Sequence, residues 1–168
     1  SPASTVTTLI RESETIDSKS ASRRAGRRSH ATGIGDEAIL DMRTFSLNGP
    51  GMKSVRQSVS RLQRRGYTTT VRRHGDVDAA HFQDLSNSAS RWRGDGGDER
   101  GFSMALGRLG DPLDAQCVLV EAHDAQGELR AFLSFVPWGR NGLSLDLMRR
   151  DPSADNGLVE LMVASLAE

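Results

Sequence analysis

Cys117-Val118-Leu119-Val120-Glu121 and Leu129-Arg130-Ala131-Phe132-Leu133-Ser134-Phe135-Val136-Pro137-Trp138 are two apolar runs on either side of Asp124-Ala125-Gln126-Gly127. Apolar runs flanking a short polar turn that ends in glycine predict a β-hairpin. Leu143 to Met148 gives a third strand, ended by Pro152. Asp155 or Asn156 then caps a helix that places Leu158, Leu161, Met162 and Ser165 on one face. Strands in direct succession followed by a helix predict an α+β domain with a mixed or antiparallel sheet and flanking helices.

The chain upstream adds elements of the same kind. Ala38–Leu40 reads as a short strand, and Asn48-Gly49-Pro50-Gly51 as a turn. Met52, Val55, Val59 and Leu62 recur at helical spacing up to Gly66, a helix stop. Tyr67 to Arg73 is rich in Thr and Val and reads as a strand. Asp76 or Asp78 caps a second helix, with Phe82, Leu85, Ala89 and Trp92 as its buried stripe. Residues 1–34 differ in texture. They are rich in Ser, Thr and Arg with few aliphatics, and are expected to form a disordered tail ahead of a domain spanning 35–168.

Composition narrows the function. The 168 residues hold 22 Lys+Arg against 22 Asp+Glu, which excludes a wholesale polycation that coats nucleic acid. The single Cys117 excludes an internal disulfide framework and a Cys-rich zinc site. The apolar run Ala131–Trp138 is interrupted by Ser134 and Pro137 and falls far short of the roughly 20 residues that cross a bilayer. With no signal-peptide pattern either, the chain is expected to be soluble and intracellular.

No phosphate loop, dinucleotide fingerprint, nucleophile elbow or metal-ligand spacing is present. His30, His74, His81 and His123 are scattered, and Cys117 inside an apolar run behaves as a small hydrophobe. Two features stand out. The first helix carries Lys53, Arg56, Arg61, Arg64 and Arg65 with no acidic residue between Gly51 and Gly66, a set suited to phosphates or simply to a solvated face. Asp146 interrupts the apolar strand Leu143–Met148, where burying a carboxylate costs several kcal/mol unless a cation or donors meet it. In a regular strand Leu145 and Leu147 share the core face, and Asp146 points away from Arg149. A joint role for the two needs a bulge or a strand end; otherwise the pair merely closes the strand.

Four ordered segments carry a resemblance: Gly35-Asp36-Glu37-Ala38-Ile39-Leu40; Met52-Lys53-Ser54-Val55-Arg56-Gln57; Glu99-Arg100-Gly101-Phe102-Ser103-Met104 with Gly107-Arg108; and Ser144-Leu145-Asp146-Leu147-Met148-Arg149 with Asp155-Asn156-Gly157. In this order they resemble the phosphatidylglycerol lysyltransferases, also called lysylphosphatidylglycerol synthases or multiple peptide resistance factors. The resemblance implies part of a GNAT-like (acetyltransferase-like) fold. It implies transfer of a lysyl group from aminoacyl-tRNA to the glycerol hydroxyl of phosphatidylglycerol, which confers resistance to cationic antimicrobial peptides. Lysyl-tRNA is then the donor, no metal or further cofactor is implied, and the full-length proteins work at the cytoplasmic face of the membrane. Such proteins carry membrane-spanning and sometimes lysyl-tRNA synthetase regions.

Matched onto this sequence, the resemblance and the chemistry together nominate Asp146, Arg149 and Glu99 as catalytic residues. Carboxylates suit the ammonium groups of a lysyl ester, and Arg149 suits the ester carbonyl or a phosphate. Arg56, Lys53, Ser103 and Arg108 are nominated to bind substrate. The turn Arg150-Asp151-Pro152-Ser153-Ala154-Asp155-Asn156-Gly157 has one glycine, a proline and two aspartates, a poor cradle for the pyrophosphate of an acyl-CoA. The alternative reading is a truncated, non-catalytic remnant that binds anionic lipid or RNA through its first helix and tail.

Overall fold

The computed structural model describes residues 6–11, 36–93 and 108–167. Among these residues six strands form one sheet in the order β2-β1-β6-β5-β4-β3. They are β1 (Val6–Arg11), β2 (Asp36–Asp41), β3 (Thr68–Arg73), β4 (Val118–His123), β5 (Leu129–Trp138) and β6 (Gly142–Arg150). All neighbours are antiparallel except β1 and β6, which run parallel over Val6–Thr8 and Gly142–Ser144. Among the described residues three α-helices cover the sheet: α1 (Lys53–Arg64), α2 (Ala79–Arg93) and α3 (Leu158–Ala167). The expected mixed-sheet α+β class is the one found.

Two apolar layers result. Val59 and Leu62 of α1 and Leu158, Leu161 and Met162 of α3 pack with Val118, Val120, Leu133 and Phe135 on one face of the sheet. Phe82, Leu85 and Ala89 of α2 pack with Leu119, Phe132 and Leu147 on the other. Each fully buried Leu or Phe contributes about 2–3 kcal/mol of transfer free energy, so the helices are held by these stripes rather than by propensity.

The local signals act as expected at most boundaries. Gly66, at φ +83°, stops α1. Asp78, rather than Asp76, caps α2, accepting a hydrogen bond from the His81 amide at 2.7 Å. At the hairpin turn the Asp124 carboxylate accepts from the amides of Gln126 and Glu128, both at 3.0 Å. Ahead of α3, Asp155 is not used as a cap in the expected way: its carboxylate pairs with Arg65 of α1.

Two expectations change. Val6–Arg11 lies within the stretch expected to be a disordered tail, yet it pairs with β2 along six residues and with β6 along three. Val6, Thr7, Thr8 and Ile10 are β-branched, and such residues suffice for a strand when both edges find partners; residues 1–5 and 12–35 lie outside the described set. The second change is in β6. Phe135 pairs with Leu145 but Ser134 pairs with Leu147, so Asp146 is an extra residue, a β-bulge. Leu145 therefore packs toward α1 and α3 while Leu147 packs toward α2, instead of sharing one face.

Gly110 leads into β4 at φ +84°, and a Cβ there would lie 2.7 Å from the Phe82 ring. Gly110→Ala is expected to lower the unfolding free energy by about 2 kcal/mol, through backbone strain and displacement of Phe82. Urea denaturation followed by Trp fluorescence checks this; a loss under about 0.5 kcal/mol contradicts it.

Candidate functional site

The α2 face of the sheet gathers the polar chemistry. Asp146 is exposed on the bulge, and Arg149, half-buried, pairs across the strands with Phe132, which belongs to that face. Without the bulge, residues 146 and 149 would sit on opposite faces; the extra residue brings them to one. The Arg149 guanidinium donates to the Met148 carbonyl at 2.9 Å. Asp146 acts electrostatically on His74 and Cys117, both buried. Arg108 reaches this region too, donating to Asp114 at 2.9 Å.

The other nominated residues separate from this group. Lys53 is exposed and Arg56 half-buried on α1, across the sheet from Asp146. Glu99 and Ser103 lie outside the described residues. The cations of α1 are largely engaged within the fold. Arg56 donates to the Leu47 carbonyl at 2.5 Å, Arg61 to the Asn156 carbonyl at 2.7 Å, and Arg64 to the Ser60 carbonyl at 3.2 Å, while Arg65 pairs with Asp155. The run without acidic residues is balanced by the start of α3, distant in sequence.

The turn between β6 and α3 is likewise filled by its own side chains. Asp151 accepts from the Ser153 amide at 2.8 Å and the Ser153 hydroxyl at 2.7 Å, and pairs with Arg130 at 3.2 Å. Burial pushes the Asp151 carboxyl up, but those hydrogen bonds with Arg130 and Arg150 outweigh it and hold it below the usual range. A Cβ on Gly157 would lie 2.9 Å from that of Ser58, so the turn is pressed against α1. An anion entering this turn would meet the Asp151 carboxylate and a Ser153 amide that is already taken.

Two buried polar clusters on the α2 face escaped the sequence reading. Glu121, fully buried, accepts from Arg72 at 2.5 Å and bonds His81 Nε2 at 2.7 Å, with His123 at 3.9 Å. Burial raises its carboxyl, but the hydrogen bonds and charges of Arg72 and His81 prevail and hold it low. The second cluster is His74, 5% exposed, with Nε2 3.1 Å from the Ser134 hydroxyl. Burial holds the His74 imidazole below its ordinary range, against the pull of Asp114 and Asp146. The available signal was a charged or hydroxyl residue inside each apolar run, Glu121 in β4 and Ser134 in β5. Burial, reinforced by Asp114 and Asp146, pushes the Cys117 thiol up, so it is not an activated nucleophile. Among the described residues no group of three His, Cys, Asp or Glu side chains could hold a metal ion, and no helix is long and apolar enough to cross a membrane.

A mixed sheet with a bulged central strand and helices on both faces is an α+β arrangement of the GNAT-like kind. The chain belongs to the family described as "Phosphatidylglycerol lysyltransferase, C-terminal", which it matches over residues 15–168. The match thus begins twenty residues before the expected boundary at 35. The chain is 54% identical over 147 residues to the lysylphosphatidylglycerol biosynthesis bifunctional protein LysX of Nocardia farcinica, covering 88% of this chain and 13% of that protein. The LysX of Mycobacterium avium is 55% identical over 138 residues, covering 82% and 12%. The chain therefore spans about an eighth of the length of these relatives. Among solved structures, L-PGS from Bacillus licheniformis aligns with a TM-score of 0.60 at 25% identity, over 77% of this chain and 40% of that one. The C-terminal domain of a putative lysylphosphatidylglycerol synthetase from Agrobacterium fabrum gives 0.55 at 22% identity, over 76% and 40%, and supports the fold alone.

Glu121→Gln is expected to lower stability at pH 7 by roughly 2–3 kcal/mol, the modest end for a buried pair because Arg72 reaches solvent. A carboxyl held low in the folded state stabilises above its unfolded pKa, about 4.3, and that contribution fades as pH falls through the folded value. The gap between the original chain and the variant should therefore shrink below about pH 4. Urea midpoints at pH 7 and pH 3.5 measure it, and a pH-independent gap contradicts the assignment.

Proposed function

We propose that this chain is part of an enzyme that moves a lysyl group from lysyl-tRNA to the glycerol hydroxyl of phosphatidylglycerol. The observation that carries the reading is the bulge in β6, which sets Asp146 and Arg149 on one face. The hydroxyl oxygen attacks the ester carbonyl, a new ester bond forms, and the bond to the tRNA ribose oxygen breaks. The hydroxyl proton leaves with that ribose oxygen. Asp146 meets an ammonium of the lysyl group, and Arg149 steadies the charge that develops on the carbonyl oxygen. Glu99 is the second carboxylate, for the other ammonium, and Arg108 and Ser103 bind the phosphates of tRNA or lipid; Lys53 and Arg56, on the opposite face of the sheet, are left out of this set.

Several observations support this. The turn before α3, closed by Asp151, Ser153 and Arg130, speaks against an acyl-CoA donor. The internal partners of Arg56, Arg61, Arg64 and Arg65 speak against a remnant that merely binds lipid or RNA through α1. The LysX relatives are named for lysylphosphatidylglycerol biosynthesis. In this reading the full-length protein acts at the cytoplasmic face of the membrane, adds positive charge to it, and lowers sensitivity to cationic antimicrobial peptides.

The test replaces the matching segment of a full-length LysX with this chain, then adds Asp146→Asn. The replaced protein should form lysylphosphatidylglycerol from lysyl-tRNA and phosphatidylglycerol vesicles. Asp146→Asn should cut the rate at least tenfold, about 1.4 kcal/mol of transition-state stabilisation, with an unchanged melting temperature. Full activity in the variant, or a folded but inactive replacement, overturns the proposal.

A further inference from the structure

The tip of the β5–β6 hairpin carries exposed side chains that the transfer chemistry above does not use. The pairing of β4 begins at Val118, opposite Phe135, so Val136, Pro137 and Trp138 run on past it and pair with β6 alone among the described strands. Side chains alternate along β5, which puts Trp138 on the face of Phe132 and Ser134, the α2 face that also holds Asp146 and Arg149. Its cross-strand partner is Gly142, which has no side chain to cover an indole, and Trp138 is 54% exposed. Arg140, at the tip, is exposed, and from Leu129 to Leu145 the sequence has no acidic residue. Leu113, 87% exposed, lies in the turn that leads into β4 and thus toward the same end of the sheet. The carboxylates of that turn are engaged: Asp114 pairs with Arg108 at 2.9 Å, and Asp111 accepts from the Leu113 amide at 2.9 Å. Asp76 and Asp78 follow β3, two strands away.

A single exposed apolar residue needs no explanation. Here an indole, a leucine and an exposed guanidinium gather at one end of the sheet, with the indole on the side of the candidate site. An indole is apolar in body and polar at its N–H, which suits the boundary between headgroups and acyl chains, and a guanidinium beside it suits phosphate oxygens. We propose that the tip of the β5–β6 hairpin, through Trp138 and Arg140, is where this chain meets the surface of an anionic bilayer. Asp146 stands four residues along β6 from Gly142, about 13 Å of strand. One headgroup layer is about 5–7 Å deep. A hairpin lying obliquely on the surface therefore brings the bulge carboxylate to the level of the headgroup glycerols. That the bilayer holds phosphatidylglycerol rests on the lysyl-transfer reading; the exposure of the tip does not.

The test mixes the chain with vesicles of phosphatidylglycerol and phosphatidylcholine in equal parts, and with vesicles of phosphatidylcholine alone. Trp92→Phe leaves Trp138 as the only tryptophan. In the mixed vesicles its emission should shift to the blue and be quenched by lipids brominated near the top of the acyl chain. Sedimentation with vesicles uses the chain that keeps Trp92, so it decides the matter even if Trp92→Phe unsettles α2. In that assay Trp138→Ala should lower binding to the mixed vesicles at least fivefold. Arg140→Gln should lower it about fivefold, the contribution of one cation near an anionic surface, and leave binding to phosphatidylcholine unchanged. A Trp138 that lipids do not quench, or vesicle binding that survives Trp138→Ala, overturns the proposal. So does a Trp138→Ala chain that loses affinity for lysyl-tRNA while its vesicle binding is unchanged. Because the readout is binding, a replaced LysX that transfers no lysyl group ends the functional reading and leaves this test standing. An active replacement whose tip never touches vesicles ends this proposal alone.

Discussion

The one-residue slip between β5 and β6 is the constraint on which the rest of the molecule hangs. A strand has only two faces, and an unbroken period of two would send Leu145 and Leu147 to the same core. The extra residue at 146 divides the strand, so its first half feeds the layer under α1 and α3 and its second half feeds the layer under α2. Both hydrophobic layers, and hence the docking of all three helices, accept that division. It also leaves a carboxylate where the ladder is locally unpaired, with its backbone turned out of the sheet. The polar position and the split core are consequences of the same displaced residue.

Around that slip the α2 face is unusually polar for a packed layer. Glu121 with Arg72 and His81, and His74 with Ser134, place hydrogen-bonded groups between apolar side chains. Such groups give no net gain over a well-packed apolar core, since desolvation offsets most of the attraction. They do fix geometry, because each tolerates only a narrow range of distance and angle. The opposite face is almost wholly aliphatic and carries α1 and α3. One side of the sheet thus provides cohesion, and the other provides orientation.

Much of this was legible in the order of residues. The hairpin at Asp124–Gly127, the stop at Gly66 and the stripes of α1 and α2 follow from turn chemistry and periodicity, which act within a few residues. The conflict at Asp146 was legible as well: a charge inside an apolar strand that could work with Arg149 only through a bulge or a strand end. What stayed hidden depends on contacts between distant segments. The pairing of Arg61 and Arg65 with the start of α3 joins positions some ninety residues apart, and nothing near α1 announces it. His74, His81 and His123 look scattered until the sheet brings β3, β4 and α2 together. The strand Val6–Arg11 was missed for a related reason, since its few aliphatics are sufficient only once β2 and β6 flank it.

The clasp between α1 and the turn before α3 has a further consequence, one of thermodynamic linkage. To turn wholly towards an external anion, Arg61 and Arg65 must release the Asn156 carbonyl and the Asp155 carboxylate. Any affinity of this helix for phosphate is then a difference between two sets of bonds, and is smaller than its charge suggests. By reciprocity, an anion that did win those guanidinium groups would loosen the joint between α1 and α3 by the same free energy. That joint is where Gly157 lies against Ser58. The density of positive charge on α1 is therefore a measure of how firmly two helices are tied, and only what remains of it is open to solvent.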